Sequence, residues 1–179
     1  MMHRLFVGFR PPPAIRAQLQ ALAGGVASAR WQDDEQLHCT LRYIGEVERP
    51  RAEDIAVALG SLRFAPFELA VDGVGEFDSR GRPNALWAGL RPQDQVTQLH
   101  QKIDQALVRL GLEPERRAYR PHITLARMNV PAGTNARFLQ DHAGLTSPPF
   151  RVDAFLLFES HLGREGARYA AIERYPLRP

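Results

Sequence analysis

The chain has one cysteine, Cys39, and one lysine, Lys102, among its 179 residues. A single cysteine excludes an intrachain disulfide and any multi-cysteine zinc cage, and it fits a reducing compartment. Long apolar runs are missing too. The longest, such as Ala154 to Phe158, fall far short of the roughly 18 residues a bilayer span requires, and Met1 to Arg10 lacks a signal-peptide layout. The expected setting is the cytoplasm, with no membrane role. Linkers and low-complexity runs are also absent, so residues 1–179 are expected to form one domain. What is present is an ordinary globular composition, 44% hydrophobic and 24% charged, which excludes disordered and fibrous classes. The net charge is only +3, yet Lys102 is the sole lysine among 23 Lys and Arg residues, leaving 22 arginines. A general preference for arginine accounts for this as well as the suitability of planar guanidinium groups for phosphate does.

Hydrophobic periodicity marks out a repeat. Arg4 to Phe9 reads as a strand, Pro11 to Ala23 as a helix, His38 to Ile44 as a strand closed by Gly45, Pro50 to Leu59 as a helix and Phe67 to Val74 as a strand. The pattern then restarts. Asn84 to Leu90 is a strand, Gln93 to Leu110 a helix with Val96, Leu99, Ile103 and Leu107 on one face, and His122 to Leu125 a strand. A short helix near Asn135 to Gln140 and strands over Phe150 to Glu159 and Arg168 to Tyr175 complete the chain. Leu5 to His38 spans 33 residues and Leu86 to His122 spans 36, while His38 to Phe67 spans 29 and His122 to Phe150 spans 28. Such duplication implies an α+β protein of pseudo-twofold symmetry, its sheets beneath its helices. Gly75 to Pro83, the most polar segment, reads as the loop joining the halves.

Each half carries His-x-Thr followed by leucine: His38-Cys39-Thr40-Leu41 and His122-Ile123-Thr124-Leu125. On a strand, histidine and threonine of each motif share a face, roughly 7 Å apart, while Cys39 and Ile123 point the other way. Splitting a phosphodiester needs a base to activate water and an acid to protonate the departing oxygen, and histidine does either near neutral pH. Threonine hydroxyls can bind the non-bridging oxygens, and an arginine can offset the charge that builds up in the transition state. With 6 histidines and five threonines, one chance His-x-Thr is unremarkable, but two at equivalent places in a repeat are not. The competing structural reading is a pair of strand histidines satisfied by hydrogen bonds.

Five segments resemble the two-histidine (2H) phosphoesterase superfamily, specifically its RNA 2′,3′-cyclic phosphodiesterases, also called the 2′-5′ RNA ligase-like family. These are Arg4 to Gly8, Leu37 to Val47, Leu86 to Leu90, Arg120 to Arg127 and the closing Phe158-Glu159-Ser160 with Tyr169 and Pro176-Leu177. The resemblance implies a bilobal duplicated fold, two antiparallel sheets with outer helices facing each other across a central cleft. It implies no metal and no cofactor, and hydrolysis of a terminal 2′,3′-cyclic phosphate to a 2′-phosphomonoester. His38 would be the proton donor, His122 the proton acceptor, and Thr40 and Thr124 the phosphate-binding threonines. Arg127 maps to an arginine that contacts phosphate in relatives, some of which also join RNA ends reversibly through a 2′-5′ bond. The partners implied are RNA ends or tRNA fragments bearing a 2′,3′-cyclic phosphate, bound by a monomer without an obligate protein partner.

Strict strand alternation conflicts with one of these assignments. It places Arg120 and Arg42 beside the motif histidines and Arg127 on the opposite face, unless the strand ends or bulges near Ala126. The remaining candidates are weaker. His3, His100, His142 and His161 lack metal-ligand spacing and read as surface residues, Arg80 and Arg82 as a solvated turn, and Phe9, Tyr43 and Trp87 as core aromatics before base-stacking ones. Two alternatives stay open. One is the same chemistry on an ADP-ribose cyclic phosphate or a 2′-5′ oligoadenylate; the other is a non-catalytic RNA-binding module, for which the two histidines would be dispensable.

Overall fold

The computed structural model describes residues 1–179. Apolar runs anchored by Leu5, Val7 and Phe9 form β1 (Met2–Phe9), and prolines at the first turn open α1 (Pro13–Gln20), where their missing N–H costs nothing. A short β2 (Arg30–Trp31) precedes β3 (Cys39–Glu48), α2 (Arg49–Gly60) and β4 (Phe67–Ser79). The second half repeats the order with β5 (Arg82–Arg91), α3 (Asp94–Arg109), β6 (His122–Arg127), α4 (Ala136–Asp141), β7 (Phe150–Val152), β8 (Ala154–Gly163) and β9 (Gly166–Pro176). Helix α3 buries Val96, Leu99, His100, Ile103 and Leu107 at helical spacing.

The fold is α+β and antiparallel, but the two expected sheets are continuous. The strand order is β7-β4-β5-β6-β3-β1-β8-β9, with β2 added beside β6. The halves join between β6 and β3 through the single residue pair Cys39↔Ile123. Each half borrows from the other repeat: β4 pairs with β5 and β7, and β8 pairs with β1. The exchange includes α3, which packs on β3 beside α2. One hydrophobic core of 32 buried residues draws on both repeats.

Two expectations need correction. Gly75 to Pro83 is not a loop: β4 and β5 run through it as a hairpin that closes at Arg80 and Gly81, both with positive φ. Its polarity reflects an exposed ribbon end. Phe150 to Glu159 is not one strand either. The chain changes partner at Asp153, β7 pairing with β4 and β8 with β1.

Candidate active site

The two motifs lie side by side at the seam between the halves. Antiparallel pairing about Cys39↔Ile123 puts Thr40 opposite His122 and His38 opposite Thr124, on the face away from the core. Cys39 and Ile123 are fully buried beneath them. Burial pushes the Cys39 thiol up to about 12, so it is an anchor and not a nucleophile.

Both imidazoles are oriented by the same device. Nδ1 of His38 lies 2.6 Å from the Gln36 carbonyl, and Nδ1 of His122 lies 2.6 Å from the Arg120 carbonyl, in each case two residues upstream. A carbonyl only accepts, so Nδ1 carries the proton and Nε2 is left as the reactive nitrogen. Nε2 of His38 stands 3.1 Å from the Thr40 hydroxyl. Aromatic side chains wall in each ring. Phe6 and Tyr169 lie 4.9 and 5.0 Å from His38, and Phe77 lies 4.8 Å from His122 with Trp87 behind. Desolvation by these walls holds His38 down to about 4, helped by the nearby charges of His122, Arg127 and Arg10. His122 is lowered for the same first reason, with Arg127 adding to it.

A bulge in each repeat resolves the conflict over the arginines. Against β5, Trp87 pairs with Thr124 and Leu86 with Ala126, so Leu125 is an extra residue. Against β1, Gly8 pairs with Thr40 and Val7 with Arg42, so Leu41 is its counterpart. Each bulge inverts the parity beyond it. Arg127 therefore returns to the face of His122 and Thr124, and Tyr43 takes the equivalent place in the first repeat. Arg42 turns inward instead. It is 7% exposed, and each of its three guanidinium nitrogens already donates within the fold, Nε to Asp104 at 2.7 Å and the other two to the Tyr43 and Glu113 carbonyls, which ties Arg42 to α3 and its following loop.

Thr40, Tyr43, Phe77, Arg120, His122 and Arg127 line a cleft of about 720 Å³. Arg117 also reaches it but faces Glu115 at 3.6 Å, whereas the Arg120 and Arg127 side chains have no ion pair. Arg82 bonds Asn129, away from the motifs, and Arg80 belongs to the hairpin turn. No three His, Cys, Asp or Glu side chains gather as a metal site.

Several contributors escaped the sequence reading. His100 is no surface residue: it is buried, its Nδ1 donates to the Leu41 carbonyl at the bulge, and its ring stacks on Tyr119 with centroids 4.1 Å apart. The Tyr119 hydroxyl in turn donates to the Thr40 carbonyl at 2.9 Å. In the second repeat a backbone group does this work, the Gln32 N–H donating to the Leu125 carbonyl at 2.9 Å. His3 is half-buried against Glu159. The one available signal for His100 was its place on the apolar stripe of α3, where a charged surface residue does not belong.

Known proteins resemble this chain in sequence and in fold. Residues 11–164 match the family model of the 2′-5′ RNA ligase superfamily. Among curated relatives, the RNA 2′,3′-cyclic phosphodiesterase of Aeropyrum pernix is 32% identical over 145 residues, covering 78% of this chain and 81% of that protein. The Thermus thermophilus protein of the same name is 31% identical over 187 residues, covering 98% and 90%. The crystal structure of Escherichia coli LigT complexed with 3′-AMP superposes with a TM-score of 0.81 at 26% identity over 100% of both chains. The chain belongs to the 2′-5′ RNA ligase superfamily.

Proposed function

We propose that this protein hydrolyses the 2′,3′-cyclic phosphate at the end of an RNA strand, leaving a 2′-phosphomonoester. The observation that carries the reading is the pair of imidazoles on adjacent antiparallel strands, each tied through Nδ1 to a backbone carbonyl so that Nε2 is left for chemistry, each with a threonine opposite. His122 Nε2 takes a proton from water as the water oxygen bonds phosphorus. The bond from phosphorus to O3′ breaks, and His38 Nε2 gives its proton to O3′. Thr40 and Thr124 hydroxyls donate to the non-bridging oxygens, and Arg127 and Arg120 offset the growing negative charge. The assignment of donor and acceptor rests on likeness to the family, since the two motifs are related by symmetry. The names of the curated relatives support the substrate class.

No metal enters these steps, because the histidines and arginines supply the acid, the base and the positive charge. Run in the same direction with an RNA 5′-hydroxyl in place of water, these steps join two ends through a 2′-5′ bond, and their reverse cleaves it. Exposed Tyr43, on the site face, offers a platform for the terminal base. We place the protein in the cytoplasm as a monomeric bilobal unit. A core shared by both repeats supports the unit, and a buried unpaired Cys39 fits a reducing compartment.

The test is turnover of an oligonucleotide ending in a 2′,3′-cyclic phosphate, with EDTA present and the product phosphate located. Cyclic ADP-ribose phosphate and 2′-5′ oligoadenylate serve as competitors. Production of a 2′-phosphate that disappears in both His38→Ala and His122→Ala is expected. Retained function in those variants would show a binding module instead.

A further inference from the structure

A second group of free cations adjoins the cleft. In the pairing of β2 with β6, Arg30 lies directly opposite Arg127, so the two side chains share a face. Like charges set opposite each other across strands destabilise a sheet. Yet neither guanidinium makes a hydrogen bond or has a carboxylate within ion-pair distance, whereas Arg10, Arg16, Arg42 and Arg117 all do. The two arginines line a recess of about 450 Å³ with Ser28, Asn84 and Met128. Arg127 and Asn84 also line the catalytic cleft, so the recess borders it. Measured along β5, the partner of Arg127 stands two residues from the partner of Thr124, or roughly 7 Å.

We infer that Arg30, with Arg127, Ser28 and Asn84, forms a second phosphate subsite, and that it holds the internucleotide phosphate on the 5′ side of the cyclic end. This rests on the proposed function. A cyclic phosphate ends its strand, so the next phosphate is reached only in the 5′ direction, and one nucleotide carries the chain from Thr124 to the paired arginines. The anion relieves their repulsion, Ser28 and Asn84 add neutral donors, and the substrate is thereby an oligonucleotide in preference to a cyclic mononucleotide.

Three substrates test this: a 2′,3′-cyclic mononucleotide, a dinucleotide ending in that nucleotide, and the same dinucleotide with an uncharged methylphosphonate link. In the unmodified protein the charged link is expected to lower KM by roughly tenfold or more relative to the uncharged one, the scale of a charge-assisted hydrogen bond. The advantage should shrink with added salt, disappear in Arg30→Ala and return in part in Arg30→Lys. Because the methylphosphonate arm varies only the substrate, it holds even if a variant folds poorly. Equal KM for charged and uncharged links, or an undiminished advantage in Arg30→Ala, overturns the subsite while leaving the hydrolase reading intact. An Arg30-dependent gain for a pyrophosphate-bearing cyclic phosphate, with none for the dinucleotide, overturns the internucleotide assignment. Failure to turn over any of the three substrates removes the proposed function and this inference with it.

Discussion

Burial holds His38 down to about 4, so at pH 7 only on the order of one molecule in a thousand carries the proton that its role as acid requires. The substrate itself can correct this. A phosphate anion bound at the Thr40 hydroxyl, which is 3.1 Å from His38 Nε2, brings one negative charge to about 4 Å from the ring. At an effective dielectric of about 20 that contact is worth about 4 kcal/mol. At 1.36 kcal/mol per pH unit, the pKa of His38 should rise by about three units, to about 7. Opposite charge favours the charged form, so the direction is upward. The perturbation is saturation with a nonhydrolysable cyclic phosphate analogue, and the assay is NMR titration of the His38 and His122 ring Cε1–H signals with and without it. The pair can titrate jointly, so each variant with one histidine replaced by glutamine should be titrated as well. A His38 ring that titrates near 6.5 in the free protein, or one that moves by less than a pH unit on binding, would refute the reasoning.

Three further outcomes are expected. The unfolded chain protonates histidine as pH falls below 6.5, whereas folded His38 resists until about 4, so its contribution to stability is complete above 6.5 and is lost towards 4. By pH 5 the loss is about 2 kcal/mol, and denaturant unfolding of His38→Gln should lack that part of the acid sensitivity; superimposable pH dependences would falsify the assignment. Tyr119→Phe keeps the ring on His100 but frees the Thr40 carbonyl, a hydrogen bond worth about 1 kcal/mol. A several-fold fall in kcat at unchanged KM is expected, with no further fall when Thr40→Ala is already present, and simple additivity in that double-mutant cycle speaks against positioning. In Gly8→Ala the new methyl would lie 2.5 Å from the Cys39 carbonyl oxygen, backbone that cannot step aside. Separating β1 from β3 should cost about 2–3 kcal/mol in denaturation and most of the activity, and a stable, active variant contradicts the close approach.

The elements and the repeat were legible in the sequence because they depend on local periodicity and on motif spacing. That His38 meets Thr124 and His122 meets Thr40 is set by the register of β3 against β6, which the sequence does not show. Strand parity failed at Arg42 and Arg127, because nothing in His-x-Thr-Leu marks its leucine as a bulge; only registration against Gly8 and Trp87 exposes it. Phe77 was hidden within a polar stretch that continues as paired strand, and Tyr119 and Arg30 act through neighbours distant in sequence. These are long-range facts, set by which backbone groups meet, and composition does not encode them.

The traded strands have a consequence for how the two repeats depend on each other. Cut at the Arg80–Gly81 turn, the first fragment would keep β4 but lose both of its neighbours, and the second would keep β8 but lose β1. Each piece would expose unsatisfied backbone along a sheet margin that only its counterpart can cover. A half-length chain with this topology would be obliged to interlock with a twin, whereas holding both halves in one chain makes that interlocking independent of concentration.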